Sequence, residues 1–185
     1  MRLPRVTPSA LLMFLVACAP GSELPTLPPA DAGTYRLGAG DVVRLITFGE
    51  EQLTGEFRVA DSGTVALPLV GPINTAGRTP AELEQAVAEA LRQGNLLRNP
   101  SVSAEVTAYR PIFVLGEVNK PGQYPYQPGM TVVTAAAVAG GFTYRAVQGY
   151  ASVVRNKDGE MTEARASRQA LLQPGDVVTV FERRF

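Results

Sequence analysis

PIFVLGEVNKPGQYPYQPGMTVVTAAAVAGGF, residues 111–142, reads as strand, turn, strand, turn and helix. The apolar run Ile112 to Leu115 suits a buried strand, and Pro121-Gly122 marks a turn with Gly122 expected at the positive φ of a type II geometry. The returning strand is expected to end at Tyr126. A second turn at Pro128-Gly129 precedes an alanine-rich helix that Gly140-Gly141 stops. Ala135, Ala136, Ala137 and Ala139 carry so little bulk that this helix is expected to lie close on a sheet. Downstream, YASVVRNKDGEMTEARA (150–166) reads as strand, Asp158-Gly159 turn and strand, and Gly175-Asp176-Val177-Val178 leads a last strand. A helix laid across a small mixed sheet has the β-grasp shape.

The same four residues occur upstream at Gly40-Asp41-Val42-Val43. In both places a turn-forming stretch precedes them and a β-branched run follows, so each copy reads as a strand entrance: Gly for backbone freedom, Asp for a local amide bond, Val for a pleated surface. A cation held between Asp41 and Asp176 is the alternative. Between the first copy and residue 110 lie further strand signals, with DVVRLITF (41–48) apolar on both faces and FRVADSGTVALPLVGPI (57–73) broken at Asp61-Ser62-Gly63, Pro68 and Pro72. One helix follows. Thr79 is its expected N-cap, Pro80 its first residue, Glu82 the closing partner of a capping box and Gly94 its end. Leu83, Ala86, Val87, Ala90 and Leu91 form its apolar stripe, and the alternation Val102, Ala104, Val106, Ala108 predicts a half-buried strand after it. The fold class is therefore α+β: a small β-rich domain with one capped helix over 35–110, then a β-grasp domain over 111–185.

Composition narrows the function. The 185 residues are 45% apolar, enough for a core, with 18 glycines, 15 prolines and no tryptophan, as many tight turns require. Formal charge is zero and the basic residues are scattered, which excludes a nucleic-acid partner. Histidine is absent and Cys18 is the sole cysteine, which removes the usual general base, an intramolecular disulfide and a thiol-histidine pair. No cofactor, metal site or catalytic residue is expected.

MRLPRVTPSALLMFLVAC (1–18) joins a basic head to a short apolar body and a small residue before the cysteine, which reads as a secretory signal over 1–17 and is too short to span a bilayer. Removing Arg2 and Arg5 with it leaves fifteen basic against seventeen acidic residues. Residues 18–34, with APGSELPTLPPADAG at 19–33, read as a Pro-rich tether reaching about 45 Å if extended at roughly 3.1 Å per residue.

Leu15-Val16-Ala17-Cys18 resembles the lipobox of bacterial lipoproteins. The resemblance implies acylation of Cys18, palmitate included, and a lipid-anchored mature chain. Ala19 after the cysteine, in place of an aspartate, favours the outer membrane. The pattern Val114-x-Gly116-x-Val118-x-x-Pro121-Gly122-x-Tyr124, followed by Gly129, Thr131 and Ala139-Gly140-Gly141, resembles the soluble-ligand-binding β-grasp module. YRLGAGDVVRLITFGE (35–50), the capped helix and NPSVSAEVTAYR (99–110) resemble the polysaccharide biosynthesis and export domain. In this order behind a lipobox, they resemble the outer-membrane polysaccharide export lipoproteins. That family implies a homo-oligomeric ring conducting polysaccharide outward from the periplasm without catalysis, docked on an inner-membrane polysaccharide copolymerase. It also gives the repeated tetrapeptide a plain role, Gly40-Asp41 opening the export domain and Gly175-Asp176 leading the last β-grasp strand. Longer members continue into a membrane-crossing helix, whereas VVTVFERRF (177–185) is too short and charged to span. The expectation is thus a separate outer-membrane β-barrel partner or a periplasmic ring that hands polymer on.

Two alternatives remain at this level. One is a lipid-anchored binding protein whose β-grasp module captures a small ligand or glycan. The other is an enzyme using Glu50, Glu51 and Asp61, although these acids fall in turns where solvated carboxylates are ordinary. Tyr124, Tyr126, Phe142, Tyr144 and Tyr150 are read as core and interface packing in preference to sugar stacking. Subunit contacts are expected at exposed sheet edges.

Overall fold

The computed structural model describes residues 19–29, 35–157 and 159–183. The signal segment and Cys18 lie outside the described residues, as does Asp158 of the expected turn.

In the first module, β1 (Val42–Thr47) runs between β2 (Gly55–Arg58) and β5 (Val102–Ala108), antiparallel to both. A separate hairpin joins β3 (Thr64–Leu67) to β4 (Gly71–Asn74), and α1 (Pro80–Gln93) packs behind. Strand alternation puts Val43 and Leu45 into the core. Their neighbours Ile46, 45% exposed, and Phe48, 84% exposed, face solvent. Helix α1 begins as its sequence dictates: Thr79 Oγ1 accepts from the Glu82 amide at 3.1 Å while Glu82 Oε2 accepts from the Thr79 amide at 2.8 Å. Leu83, Val87 and Leu91 are fully buried against Val43, Leu45, Val65 and their neighbours, each contributing about 2 kcal/mol of transfer free energy.

In the second module, five strands form one mixed sheet in the order β7-β6-β10-β8-β9. They are β6 (Ile112–Gly116), β7 (Gly122–Tyr124), β8 (Tyr150–Lys157), β9 (Glu160–Ser167) and β10 (Val177–Val180). Central β10 is parallel to β6, and the other pairings are antiparallel. Helix α2 (Val132–Val138) sets Ala135 and Ala136 against a floor containing Ile112, Val114, Ala151, Val153 and Val178. Small residues on the helix and on β8 and β9 (Ala151, Ala164, Ala166) permit the close approach. The helix closes in a Schellman motif: the Gly141 amide donates to Ala136 and the Gly140 amide to Ala137, with both glycines at positive φ. The architecture is α+β.

Two local expectations are corrected. Gly122 does not take the positive φ of a type II turn; it is already the first residue of β7, paired with Val114. The positive φ falls instead at Gly116, six residues earlier, where the chain leaves β6. Strand β7 also stops at Tyr124, so Tyr126 lies beyond it.

The tether is not extended throughout. Residues 19–24 form a turn, with the Ser22 amide donating to Ala19, and Gly21 lies against the Phe181 ring on the sheet face opposite α2. The chain then crosses the β9 edge. Leu27 N donates to Arg165 O at 2.8 Å, Arg165 N donates to Pro25 O at 2.7 Å, and Leu27 packs against the core beside α2. An edge strand with unpaired backbone groups attracts a partner, and here this chain supplies one.

Candidate functional site

The two Gly-Asp-Val-Val copies build the same turn. Gly40 has φ +93° and Gly175 φ +89°. Asp41 Oδ2 accepts from the amide three residues back, Gly38, at 2.8 Å; Asp176 Oδ2 accepts from Gln173 at 2.7 Å. Each carbonyl then receives a neighbouring strand, Val59 N donating to Asp41 O and Phe113 N to Asp176 O. Val43 and Val178 are buried, and so are both carboxylates.

A buried carboxylate requires a counter-charge and filled lone pairs. For Asp176 the partner is Arg155 from β8, whose Nε and NH2 lie 2.9 and 2.7 Å from the two oxygens in a bidentate pair. For Asp41 it is Arg110, from the link between β5 and β6. The Arg110 amide donates to Oδ1 at 2.8 Å and its guanidinium reaches Oδ2 at 3.3 Å, while the Tyr35 hydroxyl donates to Oδ2 at 2.5 Å. Burial, then the bond to Asp41, pushes the Tyr35 phenol far above its ordinary range. These partners occupy both carboxylates, so the alternative of a cation between Asp41 and Asp176 is set aside. Among the described residues no group of three or more acidic or cysteine ligands is assembled.

Arg110 also joins the two turns. Its Nε donates to Pro174 O at 2.9 Å, and its side chain lies against Gly175 so closely that a Cβ there would sit 3.1 Å from Nε. Beside it an aromatic line crosses between the modules: Tyr35 meets Tyr109 edge-on at 4.9 Å and Tyr109 meets Tyr126 at 5.6 Å. Sequence reasoning singled out both aspartates and missed Arg110, Arg155, Tyr35 and Tyr109. The repeated motif signals the turn, whereas its partner comes from a different direction at each copy.

The remaining singled-out residues have structural positions. Gly116, φ +79°, passes so close to β10 that a Cβ would lie 2.1 Å from Val180 O. Pro121 precedes β7 and Gly122 starts it, and the Tyr124 hydroxyl donates to Lys120 O at 2.5 Å. Asn119 ties this loop to the α2 terminus, its Nδ2 donating to Gly140 O and its amide to Gly141 O. Tyr124, Tyr126 and Phe142 pack around the second core, and Tyr150 meets Phe181 beneath the Arg165 guanidinium, 4.0 Å from its ring centroid. Tyr144 departs from that packing role at 86% exposure.

The carboxylates weighed for catalysis remain in turns. Glu50 caps and Glu51 begins a single 3-10 turn, and Asp61 precedes β3; Glu51 and Asp61 are exposed and Glu50 is half-buried. A shallow open groove between β4 and α1 is lined by Ile73, Ala86, Ala90, Glu82 and Glu89 and includes none of those three. Hydrogen bonds from Thr79 hold the Glu82 carboxyl, and from Arg92 the Glu89 carboxyl, below the usual range. Among the described residues no buried side-chain polar atom lacks a partner. No helix among them is long and apolar enough to cross a membrane. The arrangement fastens two modules through Arg110 and leaves large side chains such as Phe48 and Tyr144 on their surfaces.

Residues 29–107 match the family described as polysaccharide biosynthesis/export protein, and residues 111–163 match the SLBB domain. The exopolysaccharide production protein ExoF of Rhizobium meliloti is 34% identical over 176 residues, covering 88% of this chain and 40% of that protein. The EPS I polysaccharide export outer membrane protein EpsA of Ralstonia solanacearum is 27% identical over 188 residues, covering 83% of this chain and 49% of its own length. Its counterpart from Ralstonia nicotianae is 26% identical with the same coverage. The chain thus spans less than half the length of these curated relatives.

Proposed function

Because the chain belongs to the polysaccharide biosynthesis/export family, we infer that it is an outer-membrane, periplasm-facing component of a polysaccharide export assembly. The observation carrying this reading is the order of the two matched domains, export then SLBB, fastened into one unit through Arg110. The chain acts as a subunit of a homo-oligomeric ring through which capsular polysaccharide or exopolysaccharide passes outward, without catalysing a reaction. The lack of histidine and the turn-borne position of the carboxylates weighed for catalysis support a passive role.

In this reading Cys18 is acylated and anchors the chain in the outer membrane. Several acyl chains anchor stably where one is marginal, since each buried methylene contributes about 0.8 kcal/mol. The energy for transport comes from elsewhere; the ring docks on an inner-membrane polysaccharide copolymerase, and a β-barrel partner is one route across the outer membrane.

Sizing and cross-linking the full acylated chain in mild detergent test the assembly. A closed oligomer that copurifies with the copolymerase is expected. A monomer at every concentration, with normal polymer secretion after deletion, would refute the reading.

A further inference from the structure

Strand β10 starts beside Arg110 and ends at Val180, so Phe181, the next residue, lies at the end of the second sheet farther from the module junction, about 13 Å along four residues. The α2–β8 loop extends this pole. Val147 N donates to Phe181 O, Arg183 N to Arg145 O, and Ala146 pairs with Glu182. The pole carries Tyr144, 86% exposed, with Arg145, Arg168 and Arg183 exposed around it and Arg165 half-buried over Tyr150. Their acidic neighbours are Glu182, ion-paired with Arg145, Glu117, which accepts from Thr143, Glu163, which accepts from Ser152 beside Arg165, and Glu23, exposed in the N-terminal turn. Arginines and glutamates are interleaved here, and the exposed guanidiniums of Arg168 and Arg183 stand outside the salt bridges of the described residues.

The N-terminal segment begins at this same pole. Gly21 lies on the Phe181 ring, Ala19 closes the turn with Ser22, and the Pro25–Leu27 pairing with Arg165 fixes the segment to β9. Cys18 is covalently next to Ala19, one Cα step of about 3.8 Å away. We propose that this pole rests on the anionic phospholipid surface that receives the Cys18 acyl chains, with the docked strap, residues 19–27, setting the module's orientation against the bilayer. The inference rests on the acylated reading of Cys18. Both features suit that partner: an exposed tyrosine belongs at a membrane–water interface, and arginines are attracted to anionic headgroups. A free 45 Å tether would impose no such orientation.

The acylated cysteine is the chain's only one, so an added cysteine becomes the single free thiol. Full-length, acylated Tyr144→Cys and Phe48→Cys chains would be spin-labelled in vesicles of phosphatidylethanolamine and phosphatidylglycerol; Phe48 is an equally exposed comparison on the other module, at 84%. The label at 144 is expected to be several-fold less accessible to a water-soluble relaxant than the label at 48. Adding Leu27→Pro, which removes the donor to Arg165, or Arg145→Glu with Arg168→Glu, is expected to restore accessibility.

Equal accessibility of the two labels in vesicle-bound protein would overturn the proposal. So would shielding at 144 that appears only with added polysaccharide, which would make the pole a glycan contact. Shielding that survives Leu27→Pro would refute the strap's role. Failure to acquire acyl chains, read by mass spectrometry, would refute the anchor itself and is distinguishable from all three.

Discussion

The Arg110 guanidinium lies 3.3 Å from the fully buried carboxylate of Asp41, while its Nε donates to the Pro174 carbonyl at 2.9 Å. One side chain thereby ties the turn before β1 to the turn before β10. Losing either partner strands the other: without Asp41, the Tyr35 hydroxyl, two amides and a guanidinium lose their shared acceptor.

Asp41→Ala is accordingly expected to destabilise the protein by about 3 kcal/mol, at the low end for a broken buried pair because Arg110 keeps partial solvent access. Urea unfolding followed by circular dichroism measures this. Arg110→Ala is expected to separate the unfolding of the two modules as well. Arg44→Ala, removing an exposed pair with Glu105, is expected to cost about 0.5 kcal/mol.

Gly116 and Gly49 share a positive φ but differ in surroundings. A Cβ at Gly116 meets the Val180 carbonyl at 2.1 Å, whereas a Cβ at Gly49 has nothing within 4 Å. Gly49→Ala is expected to cost about 1 kcal/mol from backbone strain alone. Gly116→Ala must also push β10 away from β6, and its thermal midpoint is expected to fall well below that of Gly49→Ala.

Tyr35 gives the protein an alkaline limit. Its folded pKa is raised by burial and by Asp41, so below the unfolded phenol value of about 10 both states hold the proton and its contribution to stability is complete. As pH rises above that value the unfolded state loses the proton first, and stability falls. Absorbance titration at 295 nm is expected to show Tyr35 silent until unfolding. Tyr35→Phe is expected to remove that step and flatten the alkaline fall; an unchanged titration would contradict the assignment.

At the start of α1 the expected sign is opposite. Glu82 is held below the usual carboxylate range by the Thr79 amide, so its capping contribution is present above the unfolded value and lost as pH falls through the folded one. Thr79→Ala is expected to cost about 1 kcal/mol near neutral pH. In Glu82→Gln the acid-dependent part is expected to vanish, which stability measurements across acidic pH would detect.

The sequence was most legible where structure is local. Thr79, Pro80 and Glu82 announce α1 because the cap is satisfied within three residues, and the Gly-Asp turns are legible for the same reason. Gly122 was misread because a Pro-Gly pair suits a turn or a strand start equally, and pairing with Val114 decides between them. Arg110 and the docking of residues 19–27 on Arg165 depend on groups far away in sequence, for which no periodicity exists. Proline content suggested an extended tether, but an open β9 edge determined where part of that segment lies.

The central claim is tested most directly by measuring polysaccharide in the medium and in the periplasm of a producing strain from which this protein has been deleted, with wild-type and Cys18→Ser copies restored separately. The expected result is loss of secreted polymer, recovery with the wild-type copy and no full recovery with Cys18→Ser. Unchanged secretion in a strain with no redundant homologue would contradict the export role.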